Sequence, residues 1–87
     1  MPYTVRLRPQ AQRDLDRVPR GVKPVLQKGL EALRDNPRPP GVRKLVDADN
    51  TWRIRVGRYR ILYEIHDDVR LVRVLKIVLR DERTYRS

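Results

Sequence analysis

The sequence predicts an α+β fold in the order β-α-α-β-β-β, an antiparallel sheet packed against a two-helix hairpin and followed by a short C-terminal helix or tail. Three observations carry that reading. Apolar residues alternate with period two at 3–8, 52–65 and 69–78, the signature of half-buried strands. Between the first two stretches, apolar residues recur at three- and four-residue steps, the stripe of amphipathic helices. The length of 87 residues allows one small domain with a modest core, so residues 1–87 are read as a single unit.

The first strand is Tyr3 to Arg8, with Tyr3, Val5 and Leu7 on one side and Thr4, Arg6 and Arg8 on the other. Pro9 ends it and suits the first turn of a helix, where its missing N–H is harmless. Ala11, Leu15 and Val18 then line a short helix stopped by Pro19, with Arg13, Asp14, Asp16 and Arg17 on its solvated side. A second helix is predicted from about Val22 to Asp35, striped by Val22, Leu26, Leu30 and Leu33 with Val25 beside them. Gly29 costs that helix about 1 kcal/mol relative to Ala, which points to a close approach by a neighbouring element. Asn36-Pro37 closes it, because the residue before Pro is pushed out of the helical region. Residues 37–46 form an irregular, proline-stiffened connection, expected to be pinned to the core by Leu45 and Val46. Its cations Arg38, Arg43 and Lys44 either extend a nucleic-acid footprint or are only solvated.

Thr51 to His66 organises the rest of the chain. Gly57-Arg58 suits a two-residue type II′ turn, which sets Val56 opposite Tyr59, Ile54 opposite Ile61 and Trp52 opposite Tyr63. The reverse face then carries Arg53 and Arg55, with Arg60 directly across from Arg55. Like charges directly opposite are destabilising, and residues 51–60 contain no acidic side chain. Either an anion such as phosphate relieves the repulsion, or the arginines form a solvated outer face. A tight turn at Asp67-Asp68 sets Val72 opposite Tyr63, Val74 opposite Ile61 and Leu75 across from Arg60. Leu62, Leu71, Leu75 and Ile77 would then share the arginine face, which is odd for a purely solvated surface.

Composition narrows the functional classes. Twenty-one Lys and Arg against 11 Asp and Glu give a net charge of +10 and a pI near 11.0. That balance implies nucleic acid or an acidic protein as partner. All the basic residues except Lys23, Lys28, Lys44 and Lys76 are Arg. Arg makes bidentate phosphate contacts and stacks on bases, which suits RNA; a GC-rich genome would enrich it equally. The absence of Cys excludes a disulfide framework, and a single His leaves no basis for a zinc site, so no metal or cofactor is expected. No apolar run approaches a membrane span or signal peptide, so a cytoplasmic protein without a membrane partner is expected. No Ser-His-Asp, Cys-His or paired-carboxylate constellation is visible. His66 sits at a turn, and Asp67-Asp68 and Asp81-Glu82 read as turn and helix-start residues. An enzyme here must work with Arg, Tyr and the substrate itself.

The run Trp-Arg-Ile-Arg-Val-Gly-Arg-Tyr-Arg-Ile-Leu-Tyr-Glu-Ile (52–65), followed by a strand and Arg80-Asp-Glu-Arg-Thr-Tyr85-Arg86, resembles the RelE–ParE toxin superfamily. The order of elements does so over essentially the whole chain. Resemblance to the RelE branch implies a type II toxin that enters the ribosomal A site and cleaves mRNA there, restrained by a cognate antitoxin that folds around it. Such cleavage uses the RNA 2′-hydroxyl as nucleophile and leaves a 2′,3′-cyclic phosphate and a 5′-hydroxyl. The same resemblance makes Arg55 and Arg60 the clamp on the scissile phosphate, Arg80 the aid to the leaving oxygen, and Tyr85 a ring stacked on a base. Arg53 would bind the mRNA backbone, with Lys44, Arg58, Arg73 and Arg83 completing the RNA-binding set. Arg stands at 53 and 55 where the family often has Lys. With a pKa above about 12, Arg is no general base, so the expected chemistry is electrostatic. Arg80 shares the apolar parity of Val72 and Val74, and reaches the arginine face only if a bulge or the strand's end re-aims it. Resemblance to the ParE branch would imply instead a gyrase poison without chemistry of its own. A non-catalytic, basic nucleic-acid-binding module is the third class.

Overall fold

The computed structural model describes residues 2–79. In chain order they form β1 (Thr4–Leu7), α1 (Pro9–Arg17), α2 (Lys23–Asp35), β2 (Arg43–Lys44), β3 (Trp52–Val56), β4 (Tyr59–His66) and β5 (Leu71–Leu79). The strands make one sheet in the order β1-β5-β4-β3-β2. β1 runs parallel to β5, and every other neighbouring pair is antiparallel. The sheet is therefore mixed, not wholly antiparallel as expected. The helices deliver the chain to the far edge, the meander walks back across the sheet, and its last strand meets β1 in the parallel sense. β2 lies within the stretch read as irregular. The expected C-terminal helix or tail lies outside the described residues.

Both helices cover one face. Leu26 and Leu33 from α2 and Ile61, Tyr63, Val72 and Val74 from the sheet are fully buried between the layers, with Ala11 and Leu15 of α1 joining them. Gly29 has the close approach its position demanded: a Cβ there would sit 2.9 Å from Val56 Cγ2. Val25, expected beside the stripe, is exposed. No helix among the described residues is long and apolar enough to cross a membrane.

The connection after α2 is anchored differently from the expectation. Val46 is 97% exposed, and Leu45 is only half-buried. The Tyr63 hydroxyl instead donates to the Pro37 carbonyl at 2.7 Å, and burial raises its pKa well above the usual phenol value. Arg38 donates from Nη1 and Nη2 to the two carboxylate oxygens of Asp67 at 3.3 and 2.9 Å. Its guanidinium also lies 5.0 Å from the Trp52 ring centroid, a cation–π distance.

The turn between β4 and β5 is longer than a two-residue loop. It spans residues 67–70, with Arg70 at φ 51°. His66 therefore faces Leu71, Ile65 faces Val72, and Tyr63 faces Val74. That two-residue shift keeps every side chain on its expected side. A bulge then intervenes: Leu62 faces Lys76 while Tyr63 faces Val74, leaving Leu75 as the extra residue. Beyond it the parity of β5 reverses. Ile77 faces Ile61 in the core, 5% exposed, and Val78 replaces the expected Leu75 opposite Arg60. Ile77 thus leaves the arginine face, and Lys76 and Val78 join it. The Ile77 N–H donates to Asp14 Oδ2 at 2.9 Å. Asp14, read as solvated, is the α1 side chain that satisfies the backbone beside the bulge.

Candidate active site on the arginine face

The hairpin places its side chains as the two-residue turn requires. Arg55 faces Arg60, Ile54 faces Ile61, and Trp52 faces Tyr63. Gly57 has φ 59° while Arg58 keeps negative φ, the pattern of a type II′ turn. The start of β3 is clipped in place by Asn50, itself at φ 49°. Its Nδ2 donates to the Ile65 carbonyl at 2.7 Å, and its Oδ1 accepts from Trp52 Nε1 at 3.2 Å. The Leu45 N–H donates to the Thr51 carbonyl at 2.8 Å, which brings β2 alongside.

This pairing gathers cations on the face the helices leave uncovered. Arg43 faces Arg53 across β2 and β3, and Arg55 faces Arg60 across β3 and β4. Directly opposed residues share a face, with Cβ atoms about 4.5–5.5 Å apart. Arg60 is 5% exposed, Arg53 half-buried, and Arg43 and Arg55 exposed. Arg60 is held by its burial, whereas the Arg55 side chain is solvent-exposed. The strands contribute one carboxylate to this face, Glu64, and it contacts His66 Nε2 at 3.0 Å. Arg53 and Arg55 form no ion pair among the described residues. Guanidiniums gathered on one face can hold a phosphate bidentately and stabilise charge that develops on it.

The expected RNA-binding residues divide. Lys44 faces Trp52, on the parity of the core, and its Nζ lies 5.7 Å from that ring. Register therefore removes Lys44 from the arginine face and puts Arg43 there instead. Arg58 is exposed at the hairpin turn beside the cluster. Arg73 is on the face but opposite Glu64, four positions along β4 from Arg60. Arg80, Arg83 and Tyr85 lie outside the described residues. The bulge turns Lys76 and Val78 toward the Arg60 side.

Comparison with known proteins matches residues 5–83 to the family model for the ParE toxin of the type II toxin-antitoxin system parDE. The chain belongs to the RelE–ParE toxin superfamily. A relative named "Putative toxin RelE1" from Methanocaldococcus jannaschii is 26% identical over 84 residues, 93% of each chain. The toxin also superposes on a chain of the RelBE2 toxin-antitoxin complex from Mycobacterium tuberculosis with TM-score 0.76 and 32% identity, covering 92% of this chain and 100% of that one. Against the archaeal RelE-RelB complex from Pyrococcus horikoshii the TM-score is 0.82 at 24% identity, covering 94% and 99%, a likeness of fold.

Arg43, read from the sequence only as one cation of a basic connection, joins the toxin's arginine face through a strand that no pattern showed. β2 is two residues long, too short for alternation to show. The available signal was indirect: a strand pairing through Lys44 and Trp52 necessarily sets Arg43 beside Arg53.

Proposed function

We propose that this toxin is a ribosome-dependent endoribonuclease that cleaves mRNA in the A site, acting in the cytoplasm and held inactive by a cognate antitoxin. The observation that carries the reading is that Arg53, Arg55 and Arg60 share the sheet face opposite the helices, with Arg60 buried among them. In this reading Arg55 and Arg60 grip the non-bridging oxygens of the scissile phosphate while Arg53 holds the neighbouring backbone. The 2′-hydroxyl attacks phosphorus, the bond to the 5′-oxygen breaks, and a 2′,3′-cyclic phosphate and a 5′-hydroxyl result. The arginines stay protonated throughout, so their contribution is to neutralise the dianionic phosphorane and to orient the ribose. Arg80 and Tyr85 are proposed to serve the leaving oxygen and to stack on a base. RelE chains of M. tuberculosis and P. horikoshii occur in complexes with RelB, which supports the antitoxin as partner.

The matched family model favours one second reading, a gyrase-poisoning toxin. Inducible expression of wild type beside Arg60→Ala separates the two. Growth arrest with codon-positioned cuts by primer extension, abolished in Arg60→Ala, is the expected result. Intact message with double-strand DNA breaks would overturn the nuclease reading in favour of gyrase.

A further inference from the structure

At its outer edge β3 is only partly covered. β2 reaches Arg53 and Trp52 and no further, so Ile54–Val56 has no strand alongside it there among the described residues. A groove of about 280 Å³ opens at this edge, lined by Pro40, Gly41, Arg43, Ile54 and Arg55. Arg43 and Arg55 are diagonal neighbours across β2 and β3, about 7–8 Å apart or somewhat less at their Cβ atoms. Both are exposed, and neither forms an ion pair among the described residues. Gly41 has φ 91°, and a Cβ there would meet nothing within 4 Å, so a ligand can approach the backbone closely. Pro40 gives the groove an apolar wall, and Ile54 borders it from the core-facing side of β3.

Two guanidiniums beside an apolar wall match a nucleotide: a phosphate for bidentate contact and a base to lie on the wall or on a guanidinium plane. We propose that this groove is a second nucleotide subsite, in which Arg43 holds the phosphate next to the one gripped by Arg55 and Arg60. The proposal rests on the single-stranded RNA substrate of the nuclease reading and extends it by one nucleotide. An acidic peptide would match the charges but leaves the apolar wall unexplained.

The test uses the full-length protein and 2′-O-methyl RNA oligonucleotides, which cannot be cleaved. A dinucleotide carries one phosphodiester and a trinucleotide two. Binding is followed by NMR at the Arg Nε–Hε resonances, which read millimolar affinities. Wild type should bind the trinucleotide about tenfold more tightly than the dinucleotide, with the Arg43 resonance moving only for the trinucleotide. Arg43→Ala should bring that ratio close to one, Arg43→Lys should restore part of it, and Arg20→Ala, on the helix side, should keep it. A ratio preserved in Arg43→Ala, a ratio near one in wild type, or an unmoved Arg43 resonance would overturn the subsite. So would a glutamate-rich peptide that shifts Arg43 at lower concentration than the trinucleotide. Failure of the nuclease reading appears elsewhere, as intact message in cells, so the two failures are distinguishable.

Discussion

Arg38 and Arg55 are both exposed arginines on this toxin, and the fold treats them in opposite ways. Arg38 is fork-bonded to Asp67, lies over Trp52 and ties the connection after α2 to the turn between β4 and β5. The Tyr3 hydroxyl donates to the same carboxylate at 2.5 Å. Arg55 has another arginine directly opposite it, Arg60, and no carboxylate bridge among the described residues. The chain has acids at Asp67 and Asp68, and spends them at the turn. Where a cation closes the fold it is matched internally, and Arg55 is the exposed cation that the proposed nuclease site would match with a phosphate.

Breaking that contrast at Arg55 gives the largest expected effect. Arg55→Glu sets opposite charges face to face, which should stabilise the fold by about 0.2–1 kcal/mol. The same change removes a positive donor from the proposed phosphate grip, and on the nuclease reading cleavage should fall at least about a hundredfold, the scale of losing one donor to the developing charge. Urea denaturation and primer extension on the same preparation measure both. Stability and cleavage lost together would make Arg55 a structural residue. Cleavage retained would remove it from the grip.

A second, intermediate effect concerns how β5 is aimed. Asp14→Ala deprives the Ile77 N–H of its acceptor, and an unsatisfied buried donor costs about 1–3 kcal/mol. Asp14→Asn keeps an acceptor oxygen and should recover most of the loss in thermal unfolding. Equal destabilisation by both variants would show that the carboxylate's charge, and not its hydrogen bond, secures the bulge.

Asp14 also marks where sequence reasoning stops. The alternation of Trp52, Ile54, Val56 and the Gly57-Arg58 turn set the β3–β4 register correctly, because a two-residue turn leaves one pairing possible. The helices were legible for the same kind of reason, a period that only one geometry satisfies. The β4–β5 register was not. His66-Asp67-Asp68-Val69-Arg70 admits turns of several lengths, and the structure uses left-handed Arg70, a residue that does not advertise that conformation. The bulge at Leu75 was hidden in Leu71–Leu79, which is apolar on both faces and so carries no parity signal. Arg53, Arg55 and Arg60 could be placed on one face in advance, whereas the placing of Arg43 there depended on a long-range pairing too short to leave a periodic trace.

The smallest expected effect lies on the locked side of the contrast and has a pH signature. Hydrogen bonds from Arg38, then Tyr3, hold the Asp67 carboxyl below its usual pKa. A depressed carboxylate contributes stability that is fully present above its unfolded value of about 3.9 and is lost as pH falls through the lower folded value. Asp67→Asn should therefore melt below wild type at neutral pH, by a modest amount because exposed ion pairs contribute little, and the gap should close as pH drops below about 4. Tyr3 adds an alkaline limb. Its hydroxyl is raised above the usual phenol value, chiefly by its bond to Asp67, so the stability it contributes is full below about pH 10 and fades as pH rises through the folded value. Arg55→Gln, with no carboxylate to uncouple, should show a melting difference that stays flat across the acid range. A gap for Asp67→Asn that is equally flat would mean that the Arg38 fork does not hold in solution, and the connection after α2 would then be anchored by the Tyr63–Pro37 hydrogen bond and the β2–β3 pairing instead.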